Sequence, residues 1–199
     1  MVVAGALVLG ILGSLLGLGT LLFVASPAHA QSSAWKEIDC KDSALRIPDA
    51  IRGNAFCNKG PIILTSFCEY AQSSIRTRNI DAAVPQLAWS SYVPKGMGCY
   101  TFQFMQSQEA ERITSYNEFT QKGQNWRDVR RVGPSPTMQF VSSDDGRRCV
   151  GFIQYGPAYA SGYEYRVSGY ACDPAAQTPA TQPFTEDEIK RYLEFAKLR

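Results

Sequence analysis

The chain has 199 residues, of which 45% are hydrophobic and 19% are charged, and its formal net charge is +2. A dedicated nucleic-acid-binding protein typically carries a much stronger basic excess, so nucleic acid is excluded as a partner. The single histidine, His29, lies within residues 1–30, which contain no charged residue. A chain cleaved after residue 30 therefore has no histidine for a catalytic triad or a zinc site.

Residues 1–30 are predicted to be a signal peptide. The apolar run ends at Ser26-Pro27, and Ala28 and Ala30 place small side chains at the two positions that signal peptidase reads. No basic residue precedes the run, and about 24 residues rising 1.5 Å each can cross a hydrocarbon core of roughly 30 Å. The alternative is therefore an uncleaved transmembrane anchor, which would then be the only membrane contact.

All six cysteines follow this leader, and an even number of cysteines in an oxidising compartment predicts disulfides. No CxxC spacing occurs, so neither a thioredoxin-like motif nor a zinc knuckle is indicated. Six cysteines allow many connectivities, and the sequence does not select one. Sequence proximity and a predicted hairpin favour the pair Cys149–Cys172. Cys40–Cys57 is the second choice, and Cys68–Cys99 then follows by elimination.

The first half of the exported part gives two clear strand signals. Residues 31–49 are polar and are predicted to be an irregular lead-in. Residues 61–70 are apolar and β-branched, which predicts a buried strand. Residues 71–98 mix turn formers with apolar residues and are left unassigned. Residues 99–105 alternate aromatic and polar side chains, which predicts a second strand.

A helix is predicted in mid-chain, followed by further strands. Apolar residues at near-helical spacing predict a helix over 109–120, with Gly123 as its C-terminal cap. Residues 126–132 are predicted to form a strand, and the Gly and Pro residues of 133–136 a turn.

The next segment indicates an antiparallel hairpin and a third strand. Residues 138–141 are predicted to pair with 149–155 across Asp144-Asp145-Gly146. Residues 163–172 are predicted to follow as a strand. One possible register of this strand sets the last two cysteines of the chain opposite each other.

The C-terminal part is predicted to be a linker and a capped helix. Residues 173–184 are rich in Pro, Ala and Thr, and Thr185 with Glu188 then forms a capping box. An apolar stripe on this helix predicts that it docks on the sheet. The stripe consists of Ile189, Tyr192, Leu193 and Ala196. We therefore expect one extracytoplasmic α+β domain over 31–199, a disulfide-stabilised, mostly antiparallel sheet with two helices.

Two clusters are candidate binding surfaces. Aromatic residues could stack on sugars or on a partner protein, although aromatic residues also fill sheet cores. These are Tyr155, Tyr159, Tyr163 and Tyr165. Neighbouring arginines could form a basic patch, although charge also protects an edge strand from unwanted pairing. These are Arg130, Arg131, Arg147 and Arg148.

No catalytic motif is recognised in the sequence. The Asp144-Asp145 pair is explained by its turn, and neither a GxSxG elbow nor a phosphate-binding glycine loop occurs. We expect an exported bacterial envelope protein, periplasmic or secreted, that is a non-catalytic binding or structural module without metal or cofactor. Its partner would be a protein or an envelope glycan. The alternatives are a histidine-free hydrolase using carboxylates or serine, and an accessory subunit anchored in the inner membrane and facing the periplasm.

Overall fold

The computed structural model describes residues 34–65, 67–77, 83–114, 123–174 and 179–199. The predicted signal peptide, its cleavage site at Ala28 and Ala30, and the anchor alternative lie outside these residues and stay predictions. None of the helices in the described ranges is both long and apolar enough to cross a membrane.

The described residues form eleven strands and two α-helices, joined by short turns. The strands are β1 Lys36–Ile38, β2 Ala55–Lys59, β3 Ile63–Leu64, β4 Glu69–Thr77, β5 Gln86–Lys95, β6 Gly123–Val132, β7 Ser135–Ser142, β8 Arg148–Tyr155, β9 Ala158–Tyr159, β10 Gly162–Tyr163 and β11 Arg166–Cys172. The helices are α1 Gln106–Thr114 and α2 Glu186–Phe195. Short 3-10 turns at Cys40–Asp42 and Asp49–Asn54 separate β1 from β2.

Nine of these strands form one antiparallel sheet in the order β1-β2-β4-β5-β11-β8-β7-β6, with β3 beside β4. The remaining two, β9 and β10, form a separate hairpin. The predicted fold class, a mostly antiparallel sheet with two helices, is therefore confirmed. The second half of the sheet follows the predicted hairpin, because β7 pairs with β8 and β8 pairs with β11.

The two faces of the sheet carry separate hydrophobic clusters, because successive side chains of a strand point to opposite faces. The α2 face packs under helix α2 and includes Trp89, Phe152, Val167, Ile189 and Leu193. The α1 face packs under helix α1 over β7 and β8 and includes Ile113, Phe140, Ile153 and Tyr170. Each helix covers one side, so the sheet is the central layer of the fold.

Three disulfides use all six cysteines. They join Cys40 to Cys57, Cys68 to Cys99 and Cys149 to Cys172, which are the pairs favoured above. The register of β11 against β8 places Cys172 directly opposite Cys149. Since disulfides form and persist in oxidising compartments, they indicate an extracellular-type environment for the folded protein.

The buried guanidinium of Arg148 joins helix α2 to the sheet. It is 2% exposed, and it donates to Asp173 Oδ2 at 2.7 Å, to Glu188 Oε1 at 2.7 Å and to the Pro183 carbonyl at 3.1 Å. The guanidinium also lies 3.9 Å from the centre of the Phe184 ring. A buried cation is tolerated when it is paired and hydrogen-bonded, and here the partners come from the segment leading into α2 and from the first turn of α2 itself.

The capping box at the start of α2 is present as predicted. Thr185 Oγ1 accepts from the Glu188 backbone nitrogen, and the Glu188 carboxylate accepts from the Thr185 nitrogen at 2.7 Å. Partial burial acts to raise the pKa of Glu188, but hydrogen bonds from Arg148 and Thr185 outweigh it and lower the pKa to about 2. Glu188 therefore fixes both the beginning of the helix and its position on the sheet.

The last residues of the chain pair with the segment that precedes β2. Leu45 and Leu198 form an antiparallel bridge, and the Arg199 nitrogen donates to the Ala44 carbonyl at 2.9 Å. The Arg199 side chain also reaches the Lys41 carbonyl. The lead-in predicted to be irregular is thus held to the C-terminal residues, with Leu45 fully buried.

Two strand predictions in the first half are wrong. Only Ile63–Leu64 of residues 61–70 is a separate strand, and its side chains are exposed because it borders only the start of β4. Residues 99–105 form no strand, since only Thr101 bridges to Tyr163. This segment instead begins at the Cys68–Cys99 disulfide and runs over the α1 face as a loop.

The mid-chain helix begins earlier than predicted. Helix α1 spans Gln106–Thr114, and residues 115–120 of the predicted helix lie outside the described residues. Gly123, the predicted helix cap, is the first residue of β6 and pairs with Ser142 of β7.

The variant Gly169→Ala tests how closely β11 and β5 approach each other. A Cβ at this position would lie 2.3 Å from the Ala88 carbonyl oxygen and 2.3 Å from Trp89 Cβ. We expect Gly169→Ala to lower the free energy of unfolding by about 3 kcal/mol, because these atoms cannot move without opening the sheet. Urea denaturation measures the loss. Gly53→Ala, with no atom within 4 Å of the added carbon, should be nearly neutral; equal effects would contradict this packing.

Glu188→Gln tests the charge that holds α2 on the sheet. Glutamine keeps the capping box but loses the charged bond to Arg148, so stability at pH 7 should fall by about 1 kcal/mol or more. Because folding lowers this pKa from 4.5 to about 2, the wild-type advantage is present above pH 4.5 and disappears as the pH falls towards 2. Denaturation curves across this range measure it. Glu194→Gln, which changes an exposed carboxylate on the same helix, is the control and should leave the denaturation curves close to those of the wild-type protein.

Candidate functional site

A row of small polar side chains crosses the α1 face where helix α1 does not cover it. The strand registers place Asn58 opposite Ser74, Ser74 opposite Ser90, and Ser90 opposite Ser168. These four residues floor a groove of about 690 Å³, which we call the arginine groove. A cavity of this volume lies in the range that small ligands occupy.

Three arginines line the arginine groove, and each guanidinium lies over an aromatic ring. Arg76 lies over Phe56 at 4.8 Å, Arg112 over Phe104 at 4.9 Å, and Arg166 over both Phe104 at 4.7 Å and Tyr92 at 5.1 Å. Stacking on a ring fixes the plane of a guanidinium. Trp35 and Gln72 complete one end of the groove.

Arg166 has no carboxylate partner among the described residues. Its strand neighbours on the same face are Tyr92 on β5 and Tyr155 on β8. Burial lowers the pKa of Arg166, and the nearby positive charge of Arg112 acts in the same direction. Because a guanidinium stays protonated even so, the groove holds a desolvated positive charge that an anion would neutralise.

A second cavity adjoins the groove and is lined by rings. This aromatic pocket has a volume of about 520 Å³ and is lined by Tyr70, Tyr100, Phe102, Gln103 and Tyr163. The Tyr163 hydroxyl donates to Gln103 Oε1 at 2.6 Å. Phe102 is 73% exposed, so a large apolar ring faces solvent at the mouth of the pocket.

The two cavities share a wall. Tyr70, which lines the aromatic pocket, stacks on Tyr92 with ring centres 4.8 Å apart, and Tyr92 in turn lies against Arg166 in the groove. Phe102 faces the pocket, whereas Phe104, two residues later, faces the groove. A row of rings therefore runs from the positive charges of the groove to the aromatic pocket.

The structure divides the four predicted tyrosines among different places. Tyr159 and Tyr163 lie near the aromatic pocket, with Tyr159 5.3 Å from the ring of Tyr100. Tyr155 is buried beneath it, and its hydroxyl accepts from the Phe104 nitrogen at 3.2 Å. Tyr165 packs on the α2 face instead. Only two of the four thus border a candidate site.

The predicted basic patch is divided between the surface and the interior. Arg130 and Arg131 are exposed, whereas Arg147 and Arg148 are buried. The Arg147 guanidinium pairs with Asp145 at 2.6 Å. Arg131 bonds to the buried Glu109, and Arg130 donates to the Phe184 carbonyl. These arginines serve the fold because neighbouring chain segments supply an oxygen to each.

The arginines of the groove were missed by the sequence analysis. A short signal was present, since apolar Ile75 separates Ser74 from Arg76 and apolar Val167 separates Arg166 from Ser168. Such alternation indicates a strand with one polar face. Residues 71–98 were left unassigned, so the four strands that build the floor were not placed side by side.

Hydroxyl, amide and guanidinium groups are the polar groups that line the groove. Its floor offers serine hydroxyls, but no Asp, Glu, His, Lys or Cys lies among the described residues that line it. A serine nucleophile needs a base within hydrogen-bond reach. The described residues also contain no cluster of His, Cys, Asp or Glu that could hold a metal ion.

Arg166→Met tests whether Arg166 serves binding rather than stability. Because its charge is desolvated without a carboxylate partner, we expect the melting temperature to stay the same or to rise. Arg148→Met should instead cost about 3 kcal/mol, since it leaves the Asp173 and Glu188 carboxylates unpaired. Thermal denaturation compares the two variants. A loss for Arg166→Met as large as that for Arg148→Met would show a structural role.

The chain matches no known protein family, no curated protein and no solved structure. No relative's activity is therefore carried over to either cavity. What can bind follows from the shape, the charge and the hydrogen-bonding groups of the arginine groove and the aromatic pocket.

Proposed function

We propose that this protein is a non-catalytic binding module of the bacterial envelope that takes up an anionic ligand in the arginine groove. The observation that carries the proposal is Arg166, a desolvated guanidinium that faces the groove with no carboxylate partner among the described residues. A folded protein retains an uncompensated buried charge at a cost to stability, and binding of an opposite charge offsets that cost.

The electrostatics of the groove support an anion over a neutral or cationic ligand. Arg112 and Arg166 approach the same Phe104 ring from within the groove, at 4.9 and 4.7 Å. The positive charge of Arg112 acts unfavourably on Arg166, and an anion bound at Arg166 offsets this effect. The planar N–H edge of Arg166 suits the two oxygens of a carboxylate, or the oxygens of a phosphate or sulfate group.

The floor and the location fit a binding role. Four hydroxyl and amide side chains offer donors and acceptors in a row, which positions a ligand without reacting with it. Periplasmic or secreted localisation is part of the proposal, because the disulfides require an oxidising compartment and residues 1–30 have the pattern of an export signal. An anchored accessory subunit would use the same groove from the inner membrane.

The histidine-free hydrolase remains the competing function and makes a different demand. Serine chemistry would require a carboxylate or another base beside Ser74, Ser90 or Ser168. The described residues lining the groove supply none, so this alternative has no supporting observation.

Binding of galacturonate to the exported protein tests the proposal. Isothermal titration calorimetry at low salt should detect binding that weakens as sodium chloride is added, because an ionic contact is screened. We expect Arg166→Gln to lower the affinity about tenfold or more, while Arg191→Gln on the exposed side of α2 leaves it unchanged. Equal affinity in the wild-type protein and Arg166→Gln would overturn the proposal.

A further inference from the structure

We infer that the arginine groove and the aromatic pocket form one extended site, and that its ligand is an acidic oligosaccharide. This inference rests on the proposed function and names the ligand class. One sugar of the chain would place its carboxylate at Arg166, and a neighbouring sugar would stack on the rings of the pocket.

The first argument is that the two cavities are contiguous. Tyr70 belongs to the pocket and stacks on Tyr92, whose ring lies 5.1 Å from the Arg166 guanidinium. The segment between Phe102 and Phe104 borders both cavities. A ligand that fills only the groove would leave an open aromatic surface directly beside it.

The second argument is the chemistry of the aromatic pocket. Phe102 and Tyr159 are 73% and 52% exposed, so both rings are accessible to a ligand at the pocket. The C–H face of a sugar ring is apolar and its edge is polar. Rings with a nearby amide match both parts, and Gln103 keeps its NH₂ group as a donor because Tyr163 donates to its oxygen.

The third argument is the polar floor of the groove. The side chains of Asn58, Ser74, Ser90 and Ser168 follow one another at the strand spacing of about 4.8 Å. The row therefore extends roughly 14 Å across the sheet, with a hydroxyl or an amide at every step. A polyhydroxylated chain finds exchangeable donors and acceptors along this whole length.

An acidic peptide fits the groove less well. A bound peptide typically adds a strand to an open sheet edge, where it finds free backbone groups. The floor strands β4, β5 and β11 are each paired on both sides. The groove therefore presents side chains only, which suits a ligand that is recognised through hydroxyl and carboxylate groups.

Calorimetry with four probes tests the inference. These are galacturonate, tetragalacturonate, an uncharged glucose tetramer and a tetraglutamate peptide. We expect the wild-type protein to bind tetragalacturonate about tenfold more tightly than galacturonate, and more tightly than the other two tetramers. Phe102→Ala should bring the ratio of tetramer to monomer affinity close to one. Phe67→Ala, which removes a ring that is 93% exposed but lines neither cavity, should leave the ratio unchanged.

The outcomes separate the inference from the proposed function. A ratio that Phe102→Ala does not change, or equal affinity for tetraglutamate, overturns the oligosaccharide inference. Galacturonate binding that still depends on Arg166 would then leave the proposed function standing. If galacturonate binding does not depend on Arg166, both the oligosaccharide inference and the proposed function are overturned. Tight binding of the uncharged tetramer would also contradict the inference, since it would show that the carboxylates are not recognised.

Discussion

Arg148 lies at the point where the sheet, the segment before helix α2 and the helix itself meet. A buried guanidinium is costly unless oxygens surround it, and Asp173, Pro183 and Glu188 supply those oxygens. Asp173 directly follows Cys172, and Cys172 forms a disulfide with Cys149, the residue after Arg148. The ion pair and the disulfide therefore stabilise the same region of the structure. Helix α2 covers the α2 face when Asp173, Pro183 and Glu188 bond to Arg148 on β8. The arginine groove lies on the opposite face of the sheet.

Arg148 and Arg166 lie in contrasting environments. Arg148 is surrounded by carboxylates and carbonyls, and its charge is fully used within the fold. Arg166 lies among rings and serines, and its charge is not neutralised by a described carboxylate. In the proposed function, stability and binding belong to different strands, β8 and β11, that are hydrogen-bonded to each other. The fold tolerates the unfavourable burial of the Arg166 charge because the contacts of Arg148 on the opposite face of the same sheet stabilise it.

Local patterns predicted the parts of the fold that depend on local physics. The β7–β8 hairpin, the strand β11 and the capping box of α2 follow from alternation, turn residues and the Thr185–Glu188 spacing. The groove could not be predicted in the same way, since its floor joins four strands whose pairing is non-local. Burial also misled the prediction: Ile63 and Leu64 are apolar but exposed, whereas Arg147 and Arg148 are charged but buried. Which segment packs over a side chain cannot be read from its own neighbours in sequence.

The bridge between Leu45 and Leu198 has a consequence for when the protein can fold. Leu45 is buried in the main cluster, yet its backbone partner lies at the opposite end of the chain. Contacts at such sequence separation are slow to form, because the intervening chain must first be brought into place. The strand order adds to this, since β5 pairs with β11 across the whole middle of the sequence. A growing chain therefore lacks this contact until Leu198 has been made, so the cluster around Leu45 closes only after synthesis has passed that residue.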